Sequence, residues 1–211
     1  MRELLRNFYR AICRMPMKNS SRVRAGMLVR SLNPIRLELG SGSLSRDGWV
    51  GLDINENADL RWDLRCGLPF PDGSVTEIHS EHTFEHLAYP DELMPLLKDC
   101  VRVLKPGGII SFSVPDMRPC IEAYVRGDSA FLKERITDVP GKYRDAFVTD
   151  LDLLSWLGLR NGEHKCLFDG DSACRRLQDA GFVGVRVRPF DSRRDYNSRR
   201  SSVYVEGCKA G

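Results

Sequence analysis

The chain has 211 residues, 42% hydrophobic and 29% charged, enough to bury one sizeable core and typical of a globular domain. No run of about 18 apolar residues is present, which argues against a membrane-crossing helix. Seven scattered cysteines without a CxxC pair argue against a disulfide framework or a cysteine zinc site, and for reduced thiols in a cytoplasmic setting.

The net charge of +3 divides unevenly. Residues 1–33 carry eight Lys/Arg against Glu3 alone, while the remainder carries 24 basic and 28 acidic residues. A basic arm therefore precedes a mildly acidic body at 34–211, and no general nucleic-acid surface is indicated. Within the arm, Leu4, Leu5, Phe8, Tyr9 and Ile12 recur at helical spacing between arginines, ending near Pro16. Packing on the domain is the first reading of this helix. A peripheral contact of residues 1–15 with the inner membrane surface is the second, and an organelle transit peptide the third.

From Ile35 the pattern alternates strands and turns. Strands are expected at 35–39 (IRLEL), 49–54 (WVGLDI), 58–64, 75–80 and 109–114. An amphipathic helix is expected over 90–104, stopped by KPGG, and another over 169–180, stopped by Gly181. Strands at 183–190 and 202–208 close the chain. This alternation implies a mostly parallel α/β sheet. Residues 117–165 break the rhythm and read as a helical insertion, a lid.

The turn after the first strand, GSGSLSRDG, resembles a nucleotide loop. A dinucleotide fingerprint needs a third glycine opening a helix, but Ser45 stands there. The link to the second strand is also too short for a crossover helix, so the helix N-terminus that stabilises a pyrophosphate is missing. A phosphate-free nucleoside does not need it. Asp53, ending the second strand, suits two ribose hydroxyls, and Asp63 with Leu64 suits adenine.

The stretches LELGSGS, GLDIN, WDLRCGLPFPDGSVTEIHSEHTFEHL, LKDCVRVLKPGGIISFSVPD and HKCLFDGDSACRRLQDAGF together resemble class I S-adenosylmethionine-dependent methyltransferases, small-molecule type. They are most similar to predicted methyltransferases of cell-surface polysaccharide clusters. The resemblance implies a Rossmann-like, doubly wound seven-stranded sheet with an antiparallel last strand, and S-adenosyl-L-methionine as cofactor. It assigns Gly40 and Gly42 to the methionine part, Glu38 to support of that turn, Asp53 to the ribose, and Asp63 and Leu64 to the adenine, with Ser41 and Ile54 also binding the cofactor. Ser80 and Glu81 would face the sulfonium and the substrate. Leu44 replaces a frequent third glycine, and Glu77 replaces a frequent Asp.

Three of the four histidines lie in HSEHTFEH. His82, just past the fourth strand, is the candidate general base for an acceptor hydroxyl, and His164, after the insertion, is the second candidate. Packing roles are the plainer readings of His79 and His86, and for His164 a hydrogen bond pinning the lid. HTFEH also matches the H-x-x-E-H zinc-peptidase pattern, which would make the chain a hydrolase using His82, Glu85 and His86. Pro90 limits any long helix through that segment, so no metal is expected. A cofactor-binding protein that transfers nothing is the remaining alternative. The acceptor is expected to be a small molecule, sugar or glycolipid. A nucleic acid is disfavoured, because SEHT stands where many base-amino methyltransferases carry Asn/Asp-Pro-Pro-aromatic.

Overall fold

The computed structural model describes residues 17–44, 46–136, 146–196 and 201–211. The basic helix expected before Pro16, Ser45 and residues 137–145 of the insertion lie outside the described residues. A helix not anticipated from sequence, α1 (Met17–Ser31), precedes the sheet, and Ser21 Oγ donates to the Arg61 carbonyl at the sheet edge.

Seven strands follow in one sheet: β1 (Arg36–Leu39), β2 (Val50–Asp53), β3 (Leu60–Arg61), β4 (Val75–Glu81), β5 (Leu104–Pro115), β6 (Phe182–Arg188) and β7 (Ser202–Lys209). Their spatial order is β3-β2-β1-β4-β5-β7-β6. β1 runs parallel to β2 and β4, and β7 runs antiparallel to both β5 and β6. This is the seven-stranded, Rossmann-like arrangement expected from the sequence. The expected third strand is much shorter than 58–64: Trp62 N–H to the Asp53 carbonyl is the last rung to β2, and Asp63 then caps a 3-10 turn over Leu64–Cys66. The KPGG stretch does not delay β5, which already pairs at Leu104 with Val75 and absorbs an irregularity before Glu77 meets Ile109.

Central strands are buried on both faces, and their sequences are correspondingly apolar. Leu37, Leu39, Leu52, Ile78 and Ile110 are fully buried. Helix α2 (Leu93–Val103) lays Leu93, Leu96, Leu97, Cys100 and Val103 into the same core, at the spacing of one helical face. Each such leucine contributes about 1.5–3 kcal/mol of burial. The insertion forms α3 (Arg118–Arg126), α4 (Ser129–Arg135) and α5 (Asp150–Leu159). It has a separate small core of Met117, Cys120, Ala123, Leu132 and Leu153. Helix α6 (Gly170–Ala180) starts on a capping box between Asp169 and Ser172 and ends at Gly181 in left-handed backbone.

Candidate active site

β1 and β2 are parallel neighbours joined by turns alone, as the short link required. Gly40 N–H donates to the Leu52 carbonyl, and the chain turns through Gly40 and Gly42, both at positive φ. At Gly40 the glycine is obligatory on a second ground: a Cβ there would sit 1.9 Å from Thr83 Oγ1. Thr83 thus closes over the turn from the end of β4. Gly42 N–H donates to Asp53 Oδ2, and Asn55 N–H donates to Oδ1. Each Asp53 oxygen retains a lone pair for a further donor.

Two chambers open along the carboxyl ends of β1, β2 and β4. The smaller, about 430 Å³, is walled by Gly40, Asp53, Ile54, Asp63, Leu64, Thr83 and Leu87. Asp63 is bound by its neighbour, accepting from Arg65 N–H and the Arg65 guanidinium, and it still faces the chamber. The larger, about 770 Å³, is walled by the Gly40–Leu44 turn, Glu38, Glu81, Glu85 and the insertion's Met117, Cys120, Leu157 and His164. Gly40, His82 and His86 line both and form the passage between them. Ser80 lies apart from the other expected site residues: it is buried, and its hydroxyl donates to the Leu39 carbonyl.

Buried polar groups cluster at the mouth of the large chamber. Glu38 is 4% exposed and its Oε2 has no hydrogen-bond partner; the nearest cation is Arg46 at 3.7 Å. Burial pushes its carboxyl up to about 7, although His79 and Arg46 oppose the rise. Ser41 Oγ is also buried and unpartnered. Orphaned groups of this kind are costly unless something completes them.

His82 sits at φ +51, a left-handed position that strains a non-glycine residue by about 1–3 kcal/mol. Its N–H donates to the Ser113 carbonyl and its Nε2 lies 2.7 Å from Ser202 Oγ. Nδ1 stands 3.2 Å from Glu85 Oε1, outside hydrogen-bond direction. Phe84–His86 forms only a single 3-10 turn, so His82 and His86 do not share the helical face that an H-x-x-E-H zinc site requires. Burial pushes the His164 imidazole down, and its Nδ1 is held 2.9 Å from the Gly158 carbonyl.

Several wall residues escaped the sequence reading. Arg46 stacks 4.3 Å from the Trp49 ring and donates to the Arg193 and Arg194 carbonyls, tying the first turn to the segment after β6. The sequence SRRDYNSRRSS over Ser192–Ser202 is basic and predicts a solvated loop, yet Asp195 within it is buried in a two-pronged pair with Arg188. Tyr196 N–H then donates to Glu81 Oε1. The unpaired-looking acid among arginines was the available signal.

The wall fits an adenosyl amino acid. The glycine cradle admits a close backbone approach, Asp53 keeps open acceptor sites, and buried Glu38 and Ser41 await polar partners beside the turn. The chain matches the family described as methyltransferase domain over residues 33–187. A search of curated proteins gives no match. Among solved structures, it is similar to a possible exported protein from Bordetella parapertussis (TM-score 0.53, 17% identity, 92% of this chain and 67% of that one). It is also similar to a SAM-dependent methyltransferase from Archaeoglobus fulgidus (TM-score 0.50, 16% identity, 96% and 98%). A Haemonchus contortus phosphoethanolamine N-methyltransferase 2 matches at TM-score 0.48 and 11% identity, over 89% of this chain and 52% of that one. The chain therefore spans about two thirds of the Bordetella protein and about half of the Haemonchus enzyme. With its sheet order, glycine cradle and family match, the chain belongs to the methyltransferase-domain family, whose methyl donor is S-adenosylmethionine.

Proposed function

We propose that the chain methylates a hydroxyl of a neutral small molecule, with a sugar or glycolipid as the favoured class. The single observation that carries this reading is His82, an imidazole held at the passage between a nucleoside-sized chamber and a larger polar one.

When bound, S-adenosylmethionine supplies an electrophilic methyl on a sulfonium that is already a good leaving group. In this reading Asp53 accepts from the ribose hydroxyls, Leu64 backs the adenine, and Glu38 takes the amino group of the methionine part. Asp63, Ile54, Ser41 and Glu81 complete the cofactor wall. The chain's task is then to align the acceptor oxygen with methyl and sulfur and to exclude water, which lowers such a barrier by about 7–11 kcal/mol at best. The His82 imidazole takes the hydroxyl proton as the oxygen attacks, and Ser202 Oγ, 2.7 Å from Nε2, orients the ring. His164 shapes the far wall.

Charge supports a neutral acceptor. The large chamber presents five carboxylates (Glu38, Glu81, Glu85, Asp116 and Glu163) against the guanidiniums of Arg135 and Arg160. Such a wall attracts a sulfonium and repels a phosphate backbone. No helix among the described residues is long and apolar enough to cross a membrane. A cytoplasmic setting, with residues 1–15 as a peripheral membrane contact, completes the reading.

The test is calorimetric titration of S-adenosylhomocysteine into the purified chain and into Asp53→Ala, followed by radiolabelled methyl transfer to a panel of neutral sugars, glycolipids and amines. Binding that weakens about 10- to 100-fold in the variant is expected from losing hydrogen bonds to a charged group, with label found on hydroxyl oxygen. Label on amines alone would refute the hydroxyl assignment.

A further inference from the structure

We infer that Glu85, His86 and His164 form a binding site for a divalent transition-metal ion at the wall of the large chamber. Each offers a ligand atom, and these atoms lie within 4.8 Å of one another. A tetrahedral zinc ion spaces its nitrogen and oxygen ligands by about 3.4 Å, so small side-chain movements close the set.

Three independent features point to a cation there. Glu85 is 1% exposed, and neither carboxylate oxygen accepts a hydrogen bond among the described residues, His82 Nδ1 standing 3.2 Å from Oε1 but out of hydrogen-bond direction. A buried carboxylate without a partner is expensive, and a bound cation is what ordinarily compensates it. Both imidazoles are oriented through Nδ1, His86 to the Glu163 carbonyl at 3.0 Å and His164 to the Gly158 carbonyl at 2.9 Å. A carbonyl on Nδ1 fixes the proton there and leaves the Nε2 lone pair outward, as in metal-ligating histidines. The backbone also holds the two halves together: the Glu85 carbonyl accepts from the Lys165 and Cys166 N–H groups, stringing the segment after the insertion along the Phe84–His86 turn.

Two histidines and one carboxylate are the donor set of catalytic zinc and non-heme iron sites, which keep open positions for water or substrate. All three residues line the large chamber, so the open positions face it. Use of such a position by an acceptor hydroxyl rests on the function proposed above; the presence of the ion does not. His82 is not part of the set, whose ligand atoms come from Glu85, His86 and His164.

The experiment uses the tag-free full chain, stripped with chelator and titrated with Zn²⁺ by calorimetry and with Co²⁺ by visible absorption. One equivalent is expected, with d–d bands of a four- or five-coordinate site and no thiolate charge-transfer band. Glu85→Gln, His86→Ala and His164→Ala should each weaken binding by more than about 100-fold, beyond the loss of an outer-shell group. His86 is the exposed member, so its variant serves even if the buried ones fold poorly. Absence of stoichiometric binding, a thiolate band, or unchanged binding in His86→Ala would each overturn the inference. S-adenosylhomocysteine titrated into the stripped protein separates the outcomes, because retained cofactor binding without metal binding leaves the transferase reading intact.

Discussion

The smaller chamber, proposed for the cofactor, draws its wall from residues 40–87, whereas the larger, proposed for the acceptor, gathers residues from 38 to 202. On the first side, backbone geometry does most of the positioning: Gly42 N–H and Asn55 N–H hold Asp53, and Thr83 fills the space that Gly40 leaves. On the second, side chains lean on distant backbone: His86 on Glu163, His164 on Gly158, while Glu81 accepts from the Tyr196 N–H. A binding half built on local turns tolerates little change at its glycines. An acceptor half built from long-range contacts can change specificity by altering the insertion, with the donor site left in place.

If that division holds, His82→Ala should separate the halves most sharply. It should lower turnover by about 10²–10⁴-fold, the usual value of a positioned base, while S-adenosylhomocysteine affinity stays unchanged. Steady-state kinetics on the acceptor found by the panel, beside calorimetry, reads both quantities. Equal losses in turnover and affinity would merge the two regions into one.

A pH dependence comes next. Glu38 is raised to about 7 in the fold against 4.5 when exposed, so the folded state holds its proton longer than the unfolded chain. Stability of the cofactor-free protein therefore falls as pH rises from 4.5 to 7, by about 3 kcal/mol from this group, and levels off above. A bound sulfonium and ammonium favour the ionised carboxylate, so cofactor affinity should rise across the same window. Chemical denaturation and titration at about pH 4 and about pH 8, on either side of that window, measure both, and Glu38→Gln should abolish the difference.

Gly40→Ala should weaken S-adenosylhomocysteine about 100-fold, since the new methyl meets Thr83 and left-handed backbone together. The smallest effect is expected far from the cleft. Gly26 lies inside α1, and a methyl added there would meet nothing within 4 Å. Gly26→Ala should therefore stabilise the protein by about 0.5–1 kcal/mol and leave binding untouched. Thermal melts of the two glycine variants, compared directly, test whether the cradle is special.

The same division explains what could be read from the chain before its structure. Strand patterns, the helixless link and the Asp53 position depend on local periodicity and turn length, and they emerge from sequence. The short length of the third strand does not, because Asp63 accepts from the Arg65 N–H and starts a 3-10 turn directly after the last rung to β2, a side-chain choice invisible in β-propensity. His164 stands out in the sequence, but its company with Glu85 does not, since backbone bonds from Lys165 and Cys166 to the distant Glu85 carbonyl create it. The Ser192–Ser202 stretch looks solvated by composition, yet the buried Arg188–Asp195 pair anchors it beside the large chamber, which Tyr196 lines.

The central claim is that adenosine lies at the ends of β1 and β2, with its sulfur at the Gly40–His82 passage. A crystal structure with S-adenosylhomocysteine tests it most directly. Ribose hydroxyls on Asp53, adenine against Leu64 in the 430 Å³ chamber and sulfur beside Gly40 are the predicted result. Adenine seated in the larger chamber, or ribose out of reach of Asp53, would contradict it.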